Sequence, residues 1–123
     1  MTTDMAIGLI DRPGTLADAC DTLGRAGVNI EGACGFVCDG RGEFHVLVTD
    51  AVRAGRALID AGFEILAERQ VTVVPVANAP GSAAALLRRI AEAGVNVDLL
   101  YATVDGRLVL AGEDPRAIRD VLA

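Results

Sequence analysis

Two thiols and one imidazole stand close enough along the chain to raise the question of a metal or redox centre. Cys34 and Cys38 are four residues apart, and His45 follows across a glycine-containing turn. In a strand that spacing places both thiols on one side, and His45 falls on the partner strand of the hairpin. Structural zinc sites, however, combine a C-x2-4-C pair with a second ligand pair elsewhere, and the remaining thiol is Cys20. A free cysteine most often serves as a small buried hydrophobe, and His45 is then expected on the hairpin surface. Gly40-Arg41-Gly42 lacks the later glycine and the strand-to-helix setting of a dinucleotide fingerprint. Glu113-Asp114 sit where the first turn of a helix favours negative charge. These residues lead to the expectation of a protein that is not an enzyme and uses neither metal nor cofactor.

A different chemistry is written into two short loops, Asp11-Arg12-Pro13-Gly14-Thr15-Leu16 and Asn78-Ala79-Pro80-Gly81-Ser82-Ala83. Each opens an amphipathic run, so each offers the free backbone N–H groups of a helix start. A carboxylate is well received there, with about 0.3–1 kcal/mol from the helix dipole. Glycine at 14 and 81 lets the backbone come close to a ligand. An ammonium group needs acceptors, which the side chains of Asp11, Asn78, Asn29 and Asn96 can supply. A simpler role is open to the same residues. Asp11 and Asn78 suit a turn before a Pro-Gly bend, and Thr15 with Asp18 reads as a capping box.

The elements that position these loops come in two copies. Residues 12–37 lie over residues 79–104, with Pro13-Gly14-Thr15 on Pro80-Gly81-Ser82 and Ala26-Gly27-Val28-Asn29-Ile30 on Ala93-Gly94-Val95-Asn96-Val97. Both copies then reach a turn, Asp39-Gly40-Arg41-Gly42 and Asp105-Gly106-Arg107. In the first copy, the apolar run 5–10 reads as a strand. Residues 15–26 carry Leu16, Ala19, Cys20 and Leu23 at helical spacing, and Gly27 ends that helix. Residues 30–38 and 43–49 form a hairpin, 50–61 a helix and 63–68 a strand. The order β-α-β-β-α-β is the ferredoxin-like arrangement. The second copy gives a strand at 71–76, a helix at 82–93, a hairpin of 95–104 with 108–111, and a helix at 115–122, without a last strand. Residues 63–76 contain almost no turn signal, so one long bent strand, or two abutting ones, is expected to serve both sheets.

The strand, the Asp11-Arg12-Pro13-Gly14 loop and the helix ending in Ala26-Gly27-Val28-Asn29-Ile30, repeated around Asn78-Ala79-Pro80-Gly81 and Ala93-Gly94-Val95-Asn96-Val97, resemble the signature of ACT domains. The resemblance covers nearly the whole chain. It implies an α+β protein of two ferredoxin-like ACT domains in tandem, residues 1–69 and a truncated βαββα unit at 70–123. It further implies a regulatory module that binds an amino acid at the strand-to-helix loops and the domain interface. The candidate ligand residues are Asp11, Arg12, Pro13, Gly14, Thr15, Leu16, Asn29 and Ile30 in the first copy. In the second they are Asn78, Ala79, Pro80, Gly81, Ser82, Ala83, Asn96 and Val97. The alternative is a protein–protein interaction subunit that binds no ligand and takes a partner along an exposed sheet edge. The expected partners are a second copy of the chain, completing the second sheet by edge pairing, and a separate regulated enzyme or regulator.

The copies differ at one place. Glu31-Gly32-Ala33-Cys34-Gly35 is small where Asp98-Leu99-Leu100-Tyr101-Ala102 is bulky. Leu99, Leu100 or Tyr101 would fill the hollow left by Gly32 and Gly35, or else the glycines mark a bulged or edge strand.

Composition narrows the rest. Hydrophobic residues make up 52% of the chain, aromatics 3% and Trp none, so a core of Ala, Val, Leu and Ile must form by close packing. The net charge is −6 and the eleven basic residues are all arginines without a basic cluster, which argues against nucleic acid. No apolar run reaches the ~18 residues of a membrane span. Three cysteines without framework spacing fit a reducing cytoplasm, and the lack of Lys fits a GC-rich bacterial source.

Overall fold

The computed structural model describes residues 2–123. The first copy begins with strand β1 (Thr3–Ile10) and helix α1 (Thr15–Arg25). The hairpin β2 (Gly32–Cys38) and β3 (Arg41–Val48) follows, then helix α2 (Ala51–Asp60) and strand β4 (Glu64–Gln70). The strands form one antiparallel sheet in the order β2-β3-β1-β4. Alternation along β1 and β3 sends Met5, Ile7, Leu9, Phe44, Val46 and Val48 to one face, where they bury against Ala19 and Leu23 of α1 and Ala54 and Leu58 of α2. Burying each such aliphatic side chain contributes about 1.5–3 kcal/mol before entropy is counted. Helix α1 stops as its glycine requires. The Gly27 N–H bonds the Gly24 carbonyl and the Val28 N–H bonds that of Leu23, with Gly27 at φ 75°.

The second copy contributes β5 (Thr72–Pro75), α3 (Ser82–Glu92), β6 (Leu99–Ala102), β7 (Arg107–Ala111) and α4 (Ala117–Leu122). Its three strands pair in the order β5-β7-β6, the same order as the first three strands of the first copy. Ile90, Leu110 and Ile118 centre its core, with Val74, Leu86, Val95 and Val97 around them. The expected α+β architecture of two ferredoxin-like units, the second one strand short, is what the chain adopts. The long strand expected at 63–76 is present as β4 and β5, which belong to different sheets and are separated by Val71 alone. Strand β6 is shorter than the 95–104 read from sequence. Val95 and Val97 point into the helix-side core from an extended segment that makes no ladder. Helix α4 likewise starts at Ala117 and not at Pro115.

The two sheets meet through their helix-free faces. Leu47 of the first sheet packs with Tyr101 and Val109 of the second, and Cys34, Val71, Val73 and Leu99 surround them. At the edge of this layer, Gly32 of β2 forms a single antiparallel bridge with Thr103, and the Val104 N–H bonds the Glu31 carbonyl at 2.9 Å. Arg69 at the end of β4 reaches Asp98 at 2.7 Å and the Gly112 carbonyl at 3.0 Å. Gly32 therefore admits the second unit's backbone: a Cβ there would lie 3.1 Å from the Thr103 Cα and 3.4 Å from the Ala102 oxygen.

Gly32→Leu is expected to cost about 1–3 kcal/mol by overpacking the seam, measured as a lower urea midpoint. Gly35→Ala, whose Cβ would meet nothing nearer than 3.6 Å, should change stability by less than about 0.5 kcal/mol. Equal losses at both positions would show that close approach is not what Gly32 provides.

Candidate functional site

The loop after β1 is built by the residues that precede α1. Gly14 sits at φ 93°, in the left-handed region, and takes the N-cap position without a side-chain cap. The capping box expected of Thr15 and Asp18 does not form. The Thr15 hydroxyl instead donates backward to the Ile10 carbonyl at 2.9 Å and the Arg12 carbonyl at 3.2 Å, closing the loop on itself. Its direction follows from Gly14: a left-handed residue at the cap leaves Thr15 inside the first turn, where its hydroxyl faces the loop. The first helical bond runs from the Asp18 N–H to Gly14, so the N–H groups of Leu16 and Ala17 remain free for an incoming acceptor. Gly81 repeats this geometry at φ 85° before α3, again without a side-chain cap.

Beside the first loop lies a cleft of about 530 Å³. Its lining combines residues 9–16, from the end of β1 to the start of α1, with residues 33–37 of β2 and residues 42–44 of β3. Gly35, opposite Phe44 in register, leaves that part of the lining without a side chain, where a Cβ would lie 3.6 Å from the Phe44 ring. Leu16, Phe36 and Val37 stand about half exposed around it. Of the expected ligand residues, Asp11, Arg12, Pro13, Gly14, Thr15 and Leu16 all line this cleft.

The other expected residues lie elsewhere. Helix α1 carries the chain about 16 Å along the sheet, so Asn29 and Ile30 emerge at its opposite end. There they border a smaller crevice of about 240 Å³ with Glu31, Val104, Asp105 and Arg107. One carboxylate oxygen of Glu31 is buried there without a partner. The Asp105 carboxyl is held below its ordinary range by the Thr103 hydroxyl and then by Arg107. Asn78, Ala79, Pro80, Gly81 and Ala83 are exposed on the second unit, with Ser82 half-buried, and none of them reaches the cleft. Asn96 is exposed at the far end of α3 and Val97 packs into that unit's core. The 530 Å³ cleft is thus lined wholly by the first copy, and Cys34 is the lining residue that also packs at the seam between the units. The hollow at Gly32 and Gly35 is divided: Thr103 and Ala102 occupy the Gly32 end, while the Gly35 end stays open as cleft.

Three polar side chains that no sequence motif connects, Asp4, Glu43 and His45, lie on the helix-free face of the first sheet, and Tyr101 of the second sheet meets them there. Asp4 is 1% exposed, yet its carboxylate accepts from the Tyr101 hydroxyl at 2.6 Å and pairs with His45 Nδ1 at 2.8 Å. His45 Nε2 pairs in turn with Glu43 at 2.7 Å. His45 was expected on the surface, but it is buried, with the Phe36 ring stacked at 6.0 Å. The hydrogen bond to Asp4 raises its pKa; burial opposes this and Glu43 reinforces it. Burial, then Asp4, push the Tyr101 phenol well above its ordinary range. Among the described residues, no group of three or more His, Cys, Asp or Glu side chains is placed to hold a metal. Cys34 and Cys38 are free thiols.

Among solved structures the chain is similar, at 22% identity and a TM-score of 0.86, to a protein from Bacteroides thetaiotaomicron, over 98% of this chain and 85% of that one. It is likewise similar to the regulatory subunit of aspartate kinase from Thermus thermophilus in its ligand-free form. There the identity is 22% and the TM-score 0.71, over 99% of this chain and 93% of that one. The chain has the tandem ACT fold. Aspartokinase alpha and beta subunits share it at 16% identity and a TM-score of 0.69, over 98% of this chain and 89% of that one. No protein-family model matches the sequence, and a search of curated proteins likewise finds no match. In this ACT pair the first unit's Pro-Gly loop opens onto a cleft, and the second unit's loop does not share it.

Removing the loop tether with Thr15→Val is expected to cost about 0.5–1.5 kcal/mol in denaturant unfolding, whereas Thr15→Ser, which keeps the hydroxyl, should lose much less. Equal losses would assign the role to the methyl group.

Proposed function

We propose that this tandem ACT chain is a non-catalytic regulatory module that binds a free amino acid in the cleft beside the first Pro-Gly loop. The observation that carries the reading is the uncapped start of α1. Leu16, which lines a cleft of about 530 Å³, and the adjoining Ala17 have free N–H groups at the positive end of the helix that can receive a carboxylate. Asp11 at the same rim supplies a negative partner for an ammonium group. The apolar remainder of the lining, with Leu9, Leu16, Ala33 and Phe44, suits a small or branched aliphatic side chain. The second loop, Asn78-Ala79-Pro80-Gly81-Ser82-Ala83, has the same backbone form at Gly81 and is the lesser candidate. The similarity in fold to a regulatory subunit of aspartate kinase supports a regulatory role.

Occupancy would favour one arrangement of the two units, or of a homodimer, only by as much as the ligand prefers it, and a separate enzyme or regulator would read the result. A cytoplasmic site of action accords with the three free thiols, and no helix is long and apolar enough to cross a membrane. A second reading, a partner-binding subunit, is favoured by one feature: β5 lies at the edge of its sheet, and an open edge is a template for strand addition.

In a thermal-shift screen against the common amino acids, one or two are expected to raise the melting temperature, since a ligand at a hundred times its Kd adds about 2.7 kcal/mol. The shift should vanish in Asp11→Ala and persist in Asn78→Ala. No shift with any amino acid at millimolar concentration would leave the partner-binding reading.

A further inference from the structure

We infer that the chain Glu43–His45–Asp4–Tyr101 is a proton-controlled latch between the two domains, closed when His45 carries two ring protons and loosened when it loses one. Three of its members belong to β1 and β3, and the fourth reaches across the seam from β6. An imidazole held between two carboxylates donates to both only in its doubly protonated form. With one proton it serves one carboxylate and turns a lone pair toward the other. Asp4 then holds Tyr101 without the cation that offsets its burial.

The surroundings of His45 supply no substitute. From β1 it faces Asp4, and Glu43 adjoins it on β3 itself. From β2 it faces Cys34, its register partner, and across the seam Tyr101 approaches the same carboxylate. Arg69 of β4 is opposite Asp4 in register, but its guanidinium turns away to Asp98 and the Gly112 carbonyl. Among the described residues, His45 is the one basic group paired with Asp4.

The direction of the effect follows from the imidazole's raised pKa, caused first by Asp4. A group whose pKa is higher folded than unfolded contributes fully below its unfolded value, and the contribution is lost as pH rises through the folded value. The latch therefore loosens on the alkaline side of the ordinary imidazole range. Burial, then Asp4 and Glu43, raise the Cys34 thiol, and burial, then Asp4, raise the Tyr101 phenol, so the surroundings of both favour their neutral forms. The Gly32–Thr103 bridge and the Arg69–Asp98 pair stay in place, so the change is a loosening of the docked face and not a separation.

The chain contains one His, one Tyr and no Trp, so an imidazole resonance and tyrosine emission each report on a single residue. Titrated together, His45 should show a pKa above about 6.5 and Tyr101 emission should step at the same pH. The step should be absent in His45→Gln and displaced to lower pH in Glu43→Gln. Flat Tyr101 emission across the His45 titration, a His45 pKa at or below the ordinary value, or a step that survives in His45→Gln would each overturn the inference. Should His45→Gln fail to fold by circular dichroism, Glu43→Gln decides: a step that has not moved overturns it.

Discussion

The carboxylate of Asp4 is the group around which the two domains are arranged. It lies almost fully buried on an inner strand, beside the apolar cluster of Leu47, Tyr101 and Val109, and an ionised group in such a place costs several kcal/mol unless it is paired and hydrogen-bonded. The first domain provides one partner, His45 from the neighbouring strand. The second provides the other, the Tyr101 hydroxyl. The first domain's sheet therefore leaves one buried acceptor incompletely satisfied until β6 docks, and this fixes which residue of β6 meets which residue of β1. Gly32 belongs to the same requirement, since Tyr101 reaches Asp4 only if the chain around Thr103 closes on β2 with no side chain between them.

Docking at that end of the sheet determines what remains open at the other. Strand β2 is bridged to the second domain at Gly32, and from Ala33 to Val37 it runs free along the edge. The small residues at 33 and 35 then leave space between that strand and the start of α1, and the left-handed cap at Gly14 keeps the helix start free of its own side chains. The asymmetry between the copies is physical. One copy spends its bulky β6 residues on the seam, and the other keeps its small β2 residues for the cleft. The polar chain and the cleft share β2 and β3, so a change in either is felt by the same two strands.

Much of this was legible in the sequence. The repeat of Pro-Gly and Ala-Gly-Val-Asn gave the element order, because local chemistry alone sets a turn, a helix start and a glycine-closed helix end. The missing strand and the continuous run from 63 to 76 were equally visible. What could not be read depends on contacts between distant residues. Asp4 and Tyr101 are 97 positions apart, nothing around either announces the other, and Asp4 lies just before the apolar run 5–10, within a strand that begins at Thr3, two residues ahead of that run. His45 looked like a hairpin surface residue because alternation tells which face a side chain takes and not what covers that face. Asn29, Ile30, Asn96 and Val97 were grouped with the loops by motif, whereas α1 and α3 carry them to the opposite ends of their units. Thr15 followed the capping-box pattern until the conformation of Gly14 turned its hydroxyl the other way.

The proposed amino-acid site is the start of α1 in the first domain, with no second site of comparable affinity. The direct measurement is backbone amide mapping by NMR as an amino acid that stabilises the protein is added. The account predicts that the amides of Leu16 and Ala17 shift most, with those of Gly14 and Gly35 following at the same midpoint, while those of residues 78–83 stay still. Saturable shifts centred on residues 78–83, or on the seam around Glu31 and Val104 with Leu16 and Ala17 unmoved, would contradict it.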